Sequence, residues 1–354
     1  MNKAEYKVIG VMSGTSLDGV DLVLVRFELE DYWSFEMEHC ETVSYNNEWL
    51  AVLNKLVNFS KKELLSLDER YTRYLAQLIN AFIAKYEIED IDAICSHGHT
   101  AWHKPDDGLT YQIGNLEQLA ELTNQNVVCD FRIQDVELGG QGAPLVPIGD
   151  RLLFNEYTFC LNLGGFANIS MEENEQRVAF DICPVNIVLN HYSRQLGYSY
   201  DDKGQLASSG QLNNQLLDQL NNLQFFKLNP PKSLGLEWVQ QEVFPLIDSG
   251  GLEVKDILRT VVEHCAIQVV TVLNTGSNAL VLITGGGAYN SFLISRIQEL
   301  TNNQIVVPEK DIVEFKEALV FGLLGVLKLR DEINCISSVT GASKDHSSGK
   351  IYLP

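Results

Sequence analysis

The stretch VIGVMSGTSLDGVDLVLVRF, residues 8–27, places an apolar run on either side of a short polar loop. The runs 8–12 and 20–27 are rich in valine, leucine and isoleucine and predict the two strands of a hairpin. A tight turn accounts for Gly14 and Gly19. It does not account for the hydroxyls of Ser13, Thr15 and Ser16, or for Asp18. A loop shaped to hold phosphate accounts for all of them. Glycines bring backbone N–H groups close to an anion, hydroxyls donate to its oxygens, and a carboxylate such as Asp18 is a hard oxygen ligand for Mg²⁺.

The hairpin begins an alternating pattern. ETVSY (41–45) predicts a third strand, and a helical region follows over 47–86, with Leu75, Leu78, Ile79, Phe82 and Ile83 at helical spacing. IDAICSHGHT (91–100) reads as a buried strand running into a polar loop, LEQLAELTNQ (116–125) as a helix and NVVCDF (126–131) as a strand. Strands alternating with helices predict an α/β fold. LGGQGAPLVP (138–147) interrupts the pattern and places a domain boundary, giving a first domain over 1–143 and a second over 144–330, with the tail 331–354 packing back on the first. TFCLNLGGFANISMEE (158–173) then repeats the opening in form: strand, glycine loop, strand. Two such hairpins, one early in each half, predict a duplicated architecture rather than a short-period repeat. Helices are expected at 187–195, 255–274 and 315–332, and ALVLITGGGAYN (279–290) reads as a buried strand opening into a triple-glycine turn.

Glycine loops thus follow apolar strands three times, at Gly14/Gly19, Gly164/Gly165 and Gly285/Gly286/Gly287. Their recurrence favours phosphate holding over three independent turns. No GxxxxGK[ST] is present, which excludes a P-loop site, and no GxGxxG follows the first strand, which argues against a Rossmann dinucleotide site. The net charge of −21 argues against nucleic acid or an anionic membrane as partner. Seven scattered cysteines without a CxxC pair read as free thiols of a reducing compartment, not as a disulfide framework or a zinc site. No signal-peptide core is visible, and the longest apolar run, 318–327, is about half of a membrane span. The expected location is cytoplasmic.

Several side chains suit phosphoryl transfer to a sugar alcohol. Asp181, in AFDICPVN, stands where an apolar strand passes into a loop, as a catalytic carboxylate or as the N-cap of the next helix. SHGHTAWH puts His97 and His99 at strand spacing, with His103 nearby, for a metal, for hydrogen bonds to a polar ligand, or as plain loop residues. Arg132, in CDFRIQD, can fork onto a carboxylate or form an internal ion pair, and Glu317 can cap its helix or reach a sugar hydroxyl.

In order along the chain, GVMSGTSLDGVD, SHGHT, QIGN, DFRIQDVELGGQGAPLVP, NLGGFANIS, PPKS, TGGGAYN and EALVFG resemble the motifs of the anhydro-N-acetylmuramic acid kinase family, and the match extends to SVTGAS near the C-terminus. The resemblance implies the sugar kinase/Hsp70/actin-like fold: α/β, with two duplicated actin-like (ribonuclease H-like) domains flanking a nucleotide cleft. It implies ATP and Mg²⁺, an amino-sugar substrate from cell-wall turnover (1,6-anhydro-N-acetylmuramic acid), and a homodimer. Water adds across the anhydro bridge and O6 is phosphorylated, giving N-acetylmuramic acid 6-phosphate. By the same resemblance, Asp181 matches the catalytic aspartate that deprotonates the water. Gly14, Thr15, Ser16, Asp18 and Gly19 match the first phosphate loop, with Asp18 at the metal. Gly164 and Gly165 match the second loop, and Gly285, Gly286 and Gly287 the nucleoside turn. Arg132 and Glu317 match positions at the sugar, with Arg132 a partner for its lactyl carboxylate, and His97 is placed with them as a third substrate contact.

The chain departs from the family at three motifs. The family's FDTGPGN is FDICPVN here, SHGQT is SHGHT, and PPKSTGRE is PPKSLGLE. Cys183 and Val185 in place of glycines are expected to crowd phosphate or sugar. These changes keep two other readings open: a kinase of the same fold with a shifted sugar, and a non-catalytic sugar- or nucleotide-binding relative.

Overall fold

The computed structural model describes residues 3–14 and 17–354. The chain divides into two units. The first comprises 1–153 and 315–354, and the second 154–314. The division therefore falls ten residues after the expected boundary, and the return to the first unit starts at Phe315 rather than near 331.

The first unit is built on one seven-stranded sheet. Its strands are β1 (Glu5–Ser13), β2 (Val20–Leu29), β3 (Trp33–Val43), β4 (Ala93–Lys104), β5 (Leu109–Ile113), β6 (Val127–Cys129) and β12 (Lys350–Tyr352), in the order β12-β6-β4-β1-β2-β3, with β5 paired to β4. β1, β2 and β3 form an antiparallel meander, whereas β4 and β6 run parallel to β1. One face carries the helix Lys61–Lys85. It starts with a capping box between Ser60 and Glu63 and buries Leu64, Leu67, Tyr71, Leu75, Ile79 and Phe82 in the core that also takes Ile9, Val11, Leu22 and Leu24. The helix Lys310–Leu329, whose residues from Phe315 onward belong to this unit, approaches the sheet closely. A Cβ on Gly10 would strike the Ala318 carbonyl, and one on Gly325 would strike the Cys95 thiol. Glycine at these two positions lets helix and sheet meet, and the contact fixes where Glu317 emerges.

The second unit repeats the plan. β7 (Phe159–Leu163), β8 (Phe166–Glu173) and β9 (Gln176–Pro184) form an antiparallel meander, and β10 (Leu280–Thr284) and β11 (Gln304–Val306) run parallel to β7, in the order β11-β10-β7-β8-β9. Its core gathers Leu161, Leu163, Ile169, Val188, Leu189, Val261, Val262 and Ile283, much of it against the helix Val254–Leu273. Numbered within each unit from the meander edge, the second sheet reads 3-2-1-4-5 and the first 3-2-1-4-6-7, its fifth strand being an antiparallel hairpin partner of the fourth, so the two share the order 3-2-1-4 followed by a further parallel strand. The duplication expected from the two hairpins is real at the level of topology.

Candidate active site

In the first unit, β1 ends at Ser13 and the loop 14–19 begins. Thr15 and Ser16 lie outside the described residues. Gly14 is half-buried, and Leu17 donates its N–H to the Gly14 carbonyl across a turn, at 3.3 Å. Asp18 is exposed. Gly19 is buried, and a Cβ there would sit 2.5 Å from the Val43 carbonyl oxygen. Gly19 therefore serves the packing of the hairpin on β3. Ser13 is withdrawn from any phosphate role: its buried Oγ lies 2.5 Å from the Tyr45 hydroxyl, 2.7 Å from the Tyr71 hydroxyl and 2.8 Å from His99 Nδ1.

His97 and His99, expected on one face, point to opposite faces of the sheet. Ser96 pairs with Val11 and His99 with Ser13, so β4 holds one residue more than β1 over this span. The extra residue is a bulge at Gly98, whose φ of +72° is left-handed. His99 turns toward Tyr71 on the helix Lys61–Lys85, and His97 packs at 4.6 Å on Phe321 of the helix Lys310–Leu329. The metal reading of the pair fails on this geometry. The strand also continues to Lys104, where a polar loop was expected.

His97, Arg132 and Glu317 do come together. His97 Nδ1 donates to the Gly98 carbonyl at 2.8 Å, which leaves Nε2 as an acceptor, and Arg132 Nε donates to it at 2.9 Å. Arg132 Nη1 donates to the Gly142 carbonyl at 2.6 Å. Burial and the neighbouring guanidinium hold His97 well below its usual pKa, so the imidazole is neutral. Burial lowers Arg132 as well, opposed by the charge of Glu317. The Glu317 side chain is open to solvent, yet the protein packed about its carboxyl pushes its pKa up while Arg132 pulls it down. In the same segment Asp130 meets Lys350 Nζ at 2.9 Å.

In the second unit, Gly164 and Gly165 are the whole turn between β7 and β8. The triple-glycine turn follows β10, the parallel neighbour of β7, and the two loops meet. Gly285 has a φ of +81° and packs against Asn162 and Leu163. A Cβ on Gly287 would lie 2.7 Å from the Leu163 Cβ. Gly165 and Gly286 are different: both are exposed, and a Cβ on either would meet nothing nearer than 3.9 Å. These two offer bare backbone at an open surface, which fits a phosphate chain. Asn186 ties the loops together, its Nδ2 donating to the Leu163 carbonyl at 3.2 Å beside Gly286 and Gly287. The motif FDICPVN ends on this asparagine, and an amide at the start of a helix after a strand was the available sequence signal for its role.

Asp181 lies inside β9, which runs on to Pro184, rather than at its end. Opposite it the register shifts between Ala167 and Asn168, so that Asp181 pairs with Asn168 and Cys183 with Ala167. Asp181 caps no helix: Val185 holds the N-cap position of the helix Asn186–Gln195 and makes no side-chain cap. The Asp181 carboxylate instead accepts the Leu234 N–H at 2.7 Å, and the Asp181 N–H reaches the Lys232 carbonyl at 3.0 Å. A leucine in PPKSLGLE keeps this contact because the donor is backbone. Burial raises the Asp181 pKa, opposed by that one hydrogen bond. Cys183 and Val185 do not crowd a ligand. Both side chains are fully buried in the core of the unit, and a hydrogen bond with Cys265 together with burial drives the Cys183 thiol pKa up, which disfavours the reactive thiolate.

Two sheets that share the order 3-2-1-4, with a loop-bearing hairpin on the first two strands of each, define a duplicated actin-like α/β protein. A sequence model of anhydro-N-acetylmuramic acid kinase matches residues 6–354, and the chain belongs to that family. It is 34% identical to the "Anhydro-N-acetylmuramic acid kinase" of Pasteurella multocida (strain Pm70), covering 99% of this chain and 98% of that one. It is also 34% identical to the protein of the same name from Pseudomonas syringae pv. syringae (strain B728a), covering 98% and 99%. Among solved structures it is similar to a ROK family glucokinase from Streptomyces griseus in complex with glucose and AMPPNP, with a TM-score of 0.42, 12% identity, and coverage of 90% of this chain and 99% of that one. No helix among the described residues is long and apolar enough to cross a membrane.

Proposed function

We propose that this chain is an ATP-dependent kinase that converts 1,6-anhydro-N-acetylmuramic acid and water to N-acetylmuramic acid 6-phosphate in cell-wall recycling. Membership of the family over the whole chain supports the activity. The observation that carries the assignment of chemistry is the state of Asp181: a half-buried carboxylate, raised in pKa by burial and held by a single backbone N–H, which leaves lone pairs for a proton. Asp181 takes a proton from water as the water oxygen bonds to the anomeric carbon. The bond from that carbon to the bridging oxygen breaks, and the freed O6 takes the γ-phosphoryl group, releasing ADP.

Arg132, already oriented by His97 and Gly142, receives the lactyl carboxylate, and His97 stays neutral behind it. Glu317 reaches a sugar hydroxyl. Gly165 and Gly286 present backbone to the nucleotide, assisted by Gly14, Gly164, Gly285 and Gly287. Asp18 holds Mg²⁺, which when bound neutralises phosphate charge. The reading places the protein in the cytoplasm, as a homodimer that light scattering would detect.

The test is ADP release by purified protein with Mg-ATP and anhydro-N-acetylmuramic acid, with the product weighed by mass spectrometry. Gain of one phosphate and one water is expected. Gain of phosphate alone would make it an ordinary sugar kinase on this scaffold. ATP binding without turnover would favour a different sugar, and absence of both would favour a non-catalytic relative.

A further inference from the structure

We propose that Asp135, Cys335 and His346 form a buried site for a borderline-soft divalent metal ion of the Zn²⁺ class. The three residues are far apart in sequence, but their ligand atoms all lie within 4.8 Å of one another. Asp135 sits on the short helix Ile133–Glu137 with no exposed surface. Cys335 and His346 face each other in an isolated antiparallel bridge, each donating its N–H to the other's carbonyl at 3.1 Å. Such a pair carries its side chains next to each other.

The imidazole of His346 decides the reading. Its Nδ1 lies 3.1 Å from the Lys344 carbonyl oxygen, which can only accept, so Nδ1 carries a proton. In the neutral ring, Nε2 is then a bare lone pair. That atom is buried, has no hydrogen-bond partner among the described residues, and lies 3.6 Å from Asp135 Oδ1. A lone pair turned toward a carboxylate oxygen calls for a positive centre between them, which a metal ion or a proton on Nε2 would supply. A ring N–H donated to a backbone carbonyl, with the other nitrogen free, is how metal-bound histidines are oriented.

The rest of the cluster suits such an ion. Cys335 Sγ is 3.1 Å from Asp135 Oδ1. Tetrahedral Zn²⁺ with nitrogen, oxygen and sulfur ligands keeps them about 3.3–3.6 Å apart, so small side-chain shifts suffice. Thr340 Oγ1 donates to Asp135 Oδ1 at 2.7 Å and the Gly142 N–H to Oδ2 at 2.7 Å, an outer shell that fixes the carboxylate. One carboxylate and one thiolate balance the charge of a divalent cation in a site that water does not reach. Binding forms the sulfur–metal bond and releases the thiol proton to solvent. Because that proton is released, metal uptake should strengthen as pH rises. The ion would fasten the C-terminal segment to the loop whose Gly142 carbonyl holds Arg132.

The test uses the full chain expressed in zinc-supplemented medium, with metal content measured after desalting, and the same chain loaded with Co²⁺ during expression. The expected result is one metal ion per chain, with a thiolate-to-Co²⁺ charge-transfer band in the near ultraviolet. Cys335→Ser should abolish the band, His346→Gln should weaken retention at least about 10-fold, and Cys40→Ser, at the one half-exposed cysteine, should change neither. Sub-stoichiometric metal with no band in the wild-type chain would overturn the proposal, and a doubly protonated His346 ring by NMR would then assign an ion pair with Asp135. A band that survives Cys335→Ser would also overturn it, by placing the metal at another thiol. Should Cys335→Ser fail to fold, the wild-type stoichiometry and the His346→Gln comparison decide.

Discussion

The two hairpins occupy the same place in two sheets that share a 3-2-1-4 order, yet they are built differently. The first spans six residues, 14–19, and is anchored below by Ser13 in a buried cluster with Tyr45, Tyr71 and His99. The second is Gly164 and Gly165 alone, backed by Asn186 and the triple-glycine turn. A long loop needs a fixed base if its exposed carboxylate, Asp18, is to stay in place. A two-residue turn needs no such base, because both ends are already held in a strand ladder. The units divide the side chains as well: His97, Arg132 and Glu317 belong to the first, and Asp181 to the second. Duplication supplied two equivalent frames, and different loops and side chains specialised them.

The largest effect should come from the second unit. Asp181→Asn is expected to lower kcat at least about 10³-fold while ATP affinity stays within a few-fold. Burial disfavours the aspartate charge in the folded chain. The folded state then binds more protons than the unfolded one as pH rises past the ordinary carboxylate range, and stability falls there. The neutral variant should therefore melt no lower than wild type at neutral pH, which calorimetry checks. A variant that turns over normally would return the chemistry to the first unit.

The glycines sharpen the comparison further. Gly286→Ala has open space, so its melting temperature should hold while the Kd for ATP rises about 10-fold in calorimetric titration. Gly19→Ala meets the Val43 carbonyl and Gly287→Ala meets Leu163, so each should lose about 1–3 kcal/mol of stability in denaturant titration. Equal behaviour of Gly286→Ala and Gly287→Ala would remove the distinction between ligand-facing and packing glycines.

The anchor of the first loop bears on stability alone. Ser13→Ala should cost about 1–3 kcal/mol, since three buried partners each lose a contact. His99 is pushed down to about 4 by burial. The unfolded chain binds the extra proton between that value and the ordinary histidine value, so stability should fall as pH drops through this window. His99→Gln should flatten that part of a stability-against-pH curve. An unchanged curve would exclude His99 as the source.

The strand–glycine loop–strand hairpins that open the two meanders were legible because strand periodicity and glycine placement are local signals. The faces of His97 and His99 were not legible, since a single inserted residue at Gly98 reverses every later side chain. The expected crowding by Cys183 and Val185 failed for a related reason. Letters describe which residues change, but only packing decides that these side chains turn into the core.

The order of strands, the doubled plan and the family all follow from the chain's local pattern, because hydrophobic spacing and turn residues act between near neighbours. Tertiary structure alone decided that Ser13 is locked beneath its loop and that Gly19 packs while Gly286 lies open. It alone brought Asp135, Cys335 and His346 together, because these are contacts between residues far apart in sequence, set by how helix and strand meet rather than by any segment's own preference.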